Sequence, residues 1–420
     1  MAAGVRTVSV VDGSPSFRSR ARWGILAFLF LSTVLNYVDR QTLSILAPIV
    51  QADLGIDDRG YATIVQWFLI AYTLAHLGAG WLTDRLGSKL GLALFVGWWS
   101  LANMLTGLVQ SAAQLGAARF ALGLGEAGNY TAAPKTVAER FPAQERGFAV
   151  GVYTAGAMVG ATIAPPLIGW LALAHGWRAA FMATGALGFV WIVGWWLVHR
   201  GAPLVTADTD ATDEAGGRGG WLPLLRQRPV WGLALARMVT DPVWYFYLFW
   251  FPKYMIDDRG MGLMQMAQVA WIVYLAADMG SLIGGWGSGR LVRQGLTPAR
   301  SRLCLMAGAA LLAPLGASIA GGPSITMTFV FAAIVAFSHL VFLTNLTTLA
   351  VDTFPRRHVA TIFGIIAAGS GLGGMLSTRL VGEFASAQSY GTVFLAMAVL
   401  HPLGWVLAWW AVRRPRGNGE

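Results

Sequence analysis

Cysteine is almost absent from this sequence. Its 420 residues include a single cysteine, Cys304, which excludes an intramolecular disulfide and any metal site built from paired cysteines. The six histidines are scattered along the chain, and no nucleotide-binding glycine loop, metal-ligand cluster or Ser/His/Asp set stands out. We therefore predict no catalytic residue, no metal and no cofactor, and a membrane-embedded enzyme or sensor is the least favoured class.

Charged residues are scarce as well. They make up 12% of the chain, against 56% hydrophobic residues, whereas a soluble protein is roughly one quarter charged. The apolar residues form twelve runs of about 18–28 residues, each long enough to cross a bilayer. These runs cover residues 23–47, 60–82, 90–110, 114–138, 146–173, 178–198, 230–256, 265–288, 302–321, 324–350, 358–382 and 390–412. The composition predicts an all-α membrane protein with twelve transmembrane helices.

The net charge of +10 does not indicate a nucleic-acid partner, because the basic residues follow the membrane topology. If both termini are cytoplasmic, most Lys and Arg residues lie in cytoplasmic segments, which is the positive-inside pattern. The basic residues left in outside loops are Arg59, Arg178, Lys253 and Arg259. We predict a multi-pass protein of the inner (plasma) membrane whose basic surface contacts anionic lipid headgroups.

The two halves of the chain resemble one another. Residues 80–86 match residues 285–291 at a spacing of 205, and Gly151 matches Gly364 at a spacing of 213. Each repeat has six helices, an even number, so both copies enter the membrane from the same side. This predicts two parallel six-helix bundles with the substrate site between them near the membrane midplane. The predicted division is a cytoplasmic tail at 1–22, bundles at 23–199 and 230–412, a central loop at 200–229 and a tail at 413–420.

Two acids and two arginines lie well inside the apolar runs of the first half: Asp39, Arg40, Arg119 and Glu126. Such groups are costly at membrane depth and usually mark a transport pathway, although a structural ion-pair network is the alternative. Asp39 and Arg40 point about 100° apart on a helix, so each needs its own partner. Arg119 and Glu126 are seven residues apart and share one helix face. The three glycines around Glu126 let a neighbouring helix or a ligand come close to the backbone.

The acids and the arginines suit different tasks. Burial disfavours an ionised carboxylate and a nearby arginine favours it, and these opposing effects suit Asp39 and Glu126 to carrying protons. Arginine stays charged and offers a planar fork that fits a carboxylate. Arg40 and Arg119 are therefore predicted to anchor an anionic substrate.

Residues 80–91 fit the pattern G-x-L-x-D-R-x-G-x-[KR]-x-[GR] at nearly every position. The glycines permit a tight turn, and Asp84, Arg85 and Lys89 would lie at the cytoplasmic surface, where they can lock or release a gate. This loop resembles the signature loop of the major facilitator superfamily. The twelve spans, the repeat and the long central loop agree with that resemblance, which implies the major facilitator fold.

Within that superfamily the chain is most similar to the anion:cation symporter family and its bacterial hexuronate-type transporters. The matching segments are residues 36–40, 46–48, 125–130, 135–139, 240–244, 251–254 and 276–278. The resemblance implies that Asp39 and Glu126 are protonation sites, that Arg40 and Arg119 hold the substrate carboxylate or control coupling, and that Tyr37 and Tyr72 help to line the site. Asn36 belongs to the same motif and is included as a substrate-binding candidate. The implied activity is proton-driven uptake of a hexuronate such as galacturonate or glucuronate by a monomer.

Other features leave the substrate and the mode of transport open. At Thr154, Ala157 and Met158, and at Leu340 and Phe342, the chain is less polar than the family pattern, so a less hydroxylated organic acid stays possible. The alternative function is an exchanger or exporter of an organic anion such as an aldonate or glucarate.

The second half supplies further candidates. His339, Asn345 and Ser370 are predicted to bind substrate hydroxyls, with hydrogen bonding between helices as the alternative. Asp241 is expected to pair with Arg237 four residues before it.

Overall fold

The computed structural model describes residues 15–199, 222–269, 271–386 and 390–413. Most of the predicted tail 1–22, most of the predicted central loop 200–229 and nearly all of the predicted tail 413–420 lie outside the described residues.

The described part of the first half, residues 15–199, consists of six helices. They are α1 (Pro15–Leu54), α2 (Asp58–Leu86), α3 (Ser88–Thr106), α4 (Ala112–Glu126), α5 (Asn129–Arg140) and α6 (Ala143–His199). Side chains that accept a backbone N–H start two of them: Asp57 accepts from Gly60 at the beginning of α2, and Ser111 accepts from Gln114 at the beginning of α4. α6 contains two of the predicted spans, joined at Gly176, whose φ of 83° is readily adopted only by glycine.

The second half is divided into more helices. They are α7 (Arg228–Phe249), α8 (Phe251–Asp257), α9 (Leu263–Val269), α10 (Trp271–Arg293), α11 (Pro298–Leu312), α12 (Ile325–Thr353), α13 (Val359–Ser386), α14 (Tyr390–Ala398) and α15 (Leu400–Val412). Turns of 3-10 helix cover Leu222–Arg226, Ala313–Gly321 and Arg356–His358. The described residues contain no strand, which confirms the predicted all-α fold.

The helix boundaries differ from the predicted spans in a consistent way. α4 and α5 together form one predicted span, as do α7 with α8, α11 with the following 3-10 turn, and α14 with α15. α9 and α10 likewise fall in the single predicted span 265–288. Joined in this manner, and with α6 counted twice, the described helices give the predicted twelve crossings. Seven of the described helical stretches are by themselves long and apolar enough to cross a membrane. The remaining spans contain polar residues or breaks that hydropathy alone does not resolve.

Each half packs around its own apolar core. In the first half α1 and α3 pack against α6, and α2 packs against α4; in the second half α7 packs against α13 and α15, and α12 packs against α10 and α11. Large apolar side chains also cover the outer surface, such as Leu173 at 90% exposed and Leu311 at 80%. This distribution suits a molecule surrounded by lipid.

Close helix contacts between the halves follow the sequence repeat. A Cβ on Gly80 would lie 2.3 Å from the Ala360 carbonyl oxygen, and a Cβ on Gly285 would lie 2.1 Å from the Gly147 carbonyl oxygen. Gly80 matches Gly285 at the spacing of 205, and residues 147 and 360 are 213 apart, the second spacing of the repeat. The contact between α2 and α13 is therefore the repeat-related copy of the contact between α10 and α6. Small residues allow both helix pairs to approach closely.

Candidate substrate and proton site

An ion pair between Arg40 and Glu126 forms the centre of the candidate site. The Arg40 Nε donates to Glu126 Oε2 at 2.8 Å, and the two residues come from α1 and from the last residue of α4. The Arg40 side chain is 26% exposed, whereas Glu126 is fully buried. The second oxygen of Glu126, Oε1, has no hydrogen-bond partner among the described residues. A small anion can therefore approach the arginine, but the carboxylate is shielded behind it.

The break between α4 and α5 determines where Glu126 lies. A Cβ on Gly125 would lie 2.6 Å from the Trp98 ring, and a Cβ on Gly128 would lie 2.0 Å from the Phe95 ring. Only glycine fits at these two positions, so α3 packs directly against the backbone on both sides of Glu126. The sequence predicted that these glycines make room for a ligand or for a neighbouring helix. In the structure, Gly125 and Gly128 make room for helix α3.

Three aromatic rings surround the Arg40 guanidinium. Its carbon lies 5.2 Å from the centroid of Tyr37, 5.4 Å from that of Phe68 and 4.5 Å from that of Tyr72. Rings at these distances attract a cation through their negative faces. Tyr37 and Tyr72, both predicted to line the site, are thus brought next to Arg40. They also offer flat surfaces against which a sugar ring can lie.

Asn36 supports the ion pair from the buried side. Its amide oxygen accepts from Arg40 at 3.4 Å, and its amide nitrogen donates to the Glu126 backbone oxygen at 3.5 Å. Because Asn36 is fully buried, it positions the arginine and does not face the accessible space in this conformation.

Asp39 and Arg119 are two further buried charges, and both lie close enough to Glu126 to interact with it electrostatically. Asn103 donates to Asp39 Oδ1 at 2.7 Å and also contacts the Thr184 hydroxyl at 2.9 Å. Arg119 is only 2% exposed; its guanidinium lies 5.3 Å from the centroid of the Phe181 ring. Asp39 and Arg40 thus have separate partners, as their angular separation predicts. The Arg119 atoms Nε and Nη2 and the Asp39 atom Oδ2 lack hydrogen-bond partners among the described residues.

The second half contributes a polar cluster on its side of the interface. Arg237 donates to Asp241 Oδ2 at 2.9 Å, which is the expected local pair, and the Ser370 hydroxyl donates to the same oxygen. His339 Nε2 lies 4.0 Å from Asp241 Oδ1, and His339 Nδ1 lies 3.2 Å from His401 Nε2. His401 was not among the predicted site residues, because nothing in the local sequence indicates that α15 meets α12 at this point.

Arg237 is the other residue whose importance the sequence did not reveal. It is close enough to Tyr72 and Tyr153 of the first half to interact with them electrostatically, and His76 interacts with both Arg237 and Arg40. One arginine from each half therefore lies near the interface between the halves.

Asn345 occupies a different position. Its amide nitrogen donates to the Gly284 carbonyl at 3.1 Å and to the Val341 carbonyl at 2.8 Å, and the residue is fully buried. In this conformation it connects α12 to α10, which corresponds to the hydrogen bonding between helices that the sequence left as the alternative.

The predicted gate residues do not all act together. The Asp84 carboxylate accepts from Lys135 Nζ at 2.6 Å and from the backbone N–H groups of Ala360 and Thr361 at 3.2 and 2.7 Å. These amides belong to the first turn of α13, where the helix dipole favours an anion. By contrast, Arg85 and Lys89 lie against tryptophan rings of their own half, at 5.5 Å from Trp81 and 4.4 Å from Trp196.

A second cross-link joins the halves on the same face of the molecule, which we name the α2–α3 face. Asp352, near the end of α12, accepts from Arg146 of α6 at 2.9 Å and from Arg302 of α11 at 3.1 Å. Arg302 also donates to the Ala143 carbonyl at 2.6 Å. Hydrogen bonds between the halves are thus concentrated on this face, and the two halves are closed together here.

Two other features do not add to the site. Within the described ranges, no group of three or more His, Cys, Asp or Glu side chains is placed to hold a metal ion. An apolar cavity of about 610 Å³ lies beside α12, but its lining, which runs from Met261 to Phe337, contains no ionisable side chain and offers no anchor for an anion.

A helical membrane fold of two related halves, with a charged group in each half facing their interface, defines a membrane transporter. The comparison with known families agrees: the model of the Major Facilitator Superfamily matches residues 29–323. The chain belongs to the major facilitator superfamily, whose members are transporters and not enzymes, and it is a multi-pass membrane protein.

Individual proteins similar to this chain give a more specific comparison than the family model does. The chain is 32% identical over 416 residues to the hexuronate transporter of Escherichia coli strain K12, covering 92% of this chain and 93% of that protein. It is 34% identical over 279 residues to the galacturonate transporter of Dickeya chrysanthemi, covering 63% and 81%. Among solved structures, the E. coli fucose:proton symporter FucP aligns with a TM-score of 0.72 at 16% identity, covering 93% of this chain and 98% of that one, which shows the shared fold.

Proposed function

We propose that this protein imports a sugar acid, a hexuronate such as galacturonate or glucuronate, together with protons by alternating access. The hexuronate and galacturonate transporters among its relatives support the substrate class. In this proposal the protein is a monomer of the inner membrane with both termini cytoplasmic, and the proton is the coupling ion.

The contact between Arg40 and Glu126 carries the proposal. Arg40 is the partly exposed member and Glu126 the buried one, so an incoming carboxylate meets the arginine first. The substrate carboxylate and Glu126 would both neutralise the same guanidinium. A proton on Glu126 removes the internal competitor, and the substrate then provides the missing negative charge. Proton binding and anion binding thereby favour one another at a single pair of residues.

The cycle follows from this competition. Glu126 takes up a proton from the outside, Arg40 turns to the substrate carboxylate, and Tyr37 and Tyr72 pack against the sugar ring. The halves then move relative to one another, and release of the substrate to the cytoplasm lets Glu126 lose its proton and pair again with Arg40. Asp39, the second buried acid, is the proposed companion proton site, with Arg119 as the cation that stabilises its ionised form.

The orientation of the molecule gives the direction of entry. If the α2–α3 face is cytoplasmic, the cross-links at Asp84 and Asp352 close the cytoplasmic side. The conformation described here is then the one that receives substrate from outside. Opening the α2–α3 face requires that both cross-links break.

The replacement of Glu126 by Gln tests the proposal. Gln resembles the protonated acid in shape, so E126Q should bind substrate but fail to couple its movement to the proton gradient. In proteoliposomes we expect proton-driven accumulation to fall at least tenfold while exchange of labelled for unlabelled substrate continues. A matched control is E145Q, because Glu145 is paired with Arg22 outside the site. Undiminished accumulation by E126Q would show that the coupling residue is wrongly assigned.

A further inference from the structure

Two buried histidines in the second half have no role in the mechanism above. His339 of α12 and His401 of α15 are 1% and 0% exposed, and His339 Nδ1 lies 3.2 Å from His401 Nε2. That distance is a hydrogen bond between two imidazole rings, so one of the two nitrogens carries the shared hydrogen and the other accepts it.

When both imidazole rings of this pair are neutral, one ring nitrogen is still able to bind a proton. Two neutral imidazoles have two N–H groups and two bare nitrogens. The shared bond uses one of each, whichever ring is the donor. One N–H and one bare nitrogen then remain on the outer atoms, His339 Nε2 and His401 Nδ1. Neither outer atom has a hydrogen-bond partner among the described residues. The pair can accept one proton without losing its shared bond.

Asp241 lies at the outer end of this pair. Its Oδ2 is occupied by Arg237 and Ser370, but its Oδ1 has no hydrogen-bond partner among the described residues and lies 4.0 Å from His339 Nε2. A movement of about 1 Å would bring these two unpartnered atoms to hydrogen-bond distance. With one added proton both outer nitrogens carry N–H groups, so His339 Nε2 can donate to Asp241 Oδ1 whichever ring provides the shared hydrogen.

The surroundings of the pair are otherwise apolar and aromatic. The Trp244 ring stacks on the His339 ring with centroids 5.7 Å apart and an angle of 4° between the planes, and the Phe342 ring contacts His401. The polar and titratable groups that neighbouring helices direct toward the cluster are Arg237, Asp241 and Tyr245 of α7, Tyr247 of α7 across a small cavity beside His401, Ser370 of α13 and, across Trp244, Tyr274 of α10. Asp241 is the negatively charged member of this set, so it is the group that can stabilise a cation on the histidines.

We propose that the pair formed by His339 and His401 is a second proton-binding site, located in the half opposite Glu126, which controls Arg237. With neutral histidines, Arg237 and Asp241 compensate one another. When the pair binds one proton from water, His339 becomes a second cation beside Asp241 and competes with Arg237 for it. Arg237 is 16% exposed at the interface between the halves and is then available to an anion.

Charge balance couples this step to the substrate. Arg237, Asp241 and two neutral histidines have a net charge of zero, and the protonated cluster has a net charge of +1. An uncompensated buried charge is unfavourable, so the protonated cluster needs a negative partner. A substrate carboxylate provides it. This last link depends on the proposed function, whereas the binding of the proton by the histidine pair does not.

Nuclear magnetic resonance of protein labelled with ¹⁵N in its histidines tests the site directly. The protein has six histidines, and the spectra of H339Q and H401Q assign the pair. Between about pH 8 and pH 5, the range in which histidine titrates, we expect the signal of one bare nitrogen to disappear while the shared N–H···N hydrogen remains. H401Q should also change the titration of His339. H199Q is the control, because His199 is a buried histidine that contacts the Trp195 carbonyl instead.

The outcomes separate the two proposals. The proton site is refuted if both rings stay neutral across this range in the wild-type protein, or if they titrate independently of one another. This measurement on the wild-type protein requires no substrate, and it does not depend on whether a variant folds. Where the site is present, H339Q should flatten the pH dependence of KM for galacturonate uptake by at least threefold relative to H199Q. An unchanged pH profile in H339Q refutes the link to Arg237. Absence of any sugar-acid transport by the wild-type protein would refute the proposed function but not the histidine site.

Discussion

Arg40 is the residue on which the candidate site depends most. It pairs with Glu126 at 2.8 Å, lies within 5.4 Å of three aromatic ring centroids and remains partly exposed. These contacts hold a cation where a carboxylate can reach it. In the proposed cycle the planar guanidinium pairs with Glu126 first and then presents its fork of donors to the substrate carboxylate, once Glu126 is protonated.

Replacement of Arg40 by Lys tests the requirement for that shape. Lysine keeps the positive charge but loses the fork of donors, and a charge-assisted hydrogen bond contributes about 1.5–3 kcal/mol. We expect KM for sugar-acid uptake to rise roughly 10- to 100-fold in R40K, measured in proteoliposomes. R178K is the matched control, because Arg178 pairs with Asp53 at the exposed surface. An R40K variant with the KM of the wild-type protein would exclude a forked contact to the substrate.

Among the helices, the interrupted pair α4 and α5 has the most specific local sequence. The predicted span 114–138 is found where expected, but its break after Glu126 was not predicted, because three glycines in an apolar run can indicate either a bend or close packing. The structure shows a short turn at Ala127 and Gly128 together with close packing, because Gly128 lies against the Phe95 ring of α3. The break leaves Glu126 at a helix end, where its side chain reaches Arg40 of α1.

Gly128→Ala measures how much this packing contributes to stability. The added Cβ would lie 2.0 Å from the Phe95 ring, and overpacking of a buried site costs about 1–3 kcal/mol. We expect a lower thermal unfolding midpoint in detergent, partly restored by combining the change with Phe95→Leu. Gly78→Ala should leave the midpoint unchanged or slightly higher, because no described atom of a neighbouring helix lies within 4 Å of its Cβ position. Equal midpoints for the two alanine variants would contradict the packing described here.

More of the fold than of the candidate site can be predicted from the sequence, and the reasons are physical. Lipid imposes long apolar runs on every crossing helix, and duplication leaves matched glycines, so the helix number and the parallel repeat were predictable. Pairs such as Arg40 with Glu126 or His339 with His401 are separated by 86 and 62 residues, and only helix packing brings them together. Arg237 was recognised as a partner of Asp241 because four residues along a helix is a local relation, but its position beside the opposite half was not visible.

At the scale of the whole molecule, the two halves are held together on the α2–α3 face. The contacts there are ionic or are made to a helix end, and small residues permit the close approach of the helices beneath them. Such contacts can form and break as the halves move, unlike a continuous apolar interface. The repeat has diverged at this face: Asp84 bonds the first turn of α13, whereas its repeat-related position is Gly289, and Asp352 forms the ionic contact of that side instead.

Asp84→Asn should weaken this closure. The variant loses its charge interactions with Lys135 and with the first turn of α13. The probe is a protein in which the exposed Cys304 is replaced by Ala and the buried Thr361 by Cys. We expect its reaction with a maleimide to become several-fold faster when Asp84→Asn is added. Asp53→Asn, on the other face, should have no effect, and equal rates in both variants would mean that Asp84 does not hold the face closed.

The most direct test of the central claim, that a proton on Glu126 makes Arg40 available to the substrate, is a count of protons taken up on binding. A pH-indicator dye in weakly buffered solution reports proton uptake when galacturonate is added to purified protein. We predict that the wild-type protein takes up protons on binding and that E126Q binds galacturonate while taking up about one proton fewer. Saturable binding by the wild-type protein without proton uptake, or an equal uptake by E126Q, would contradict it.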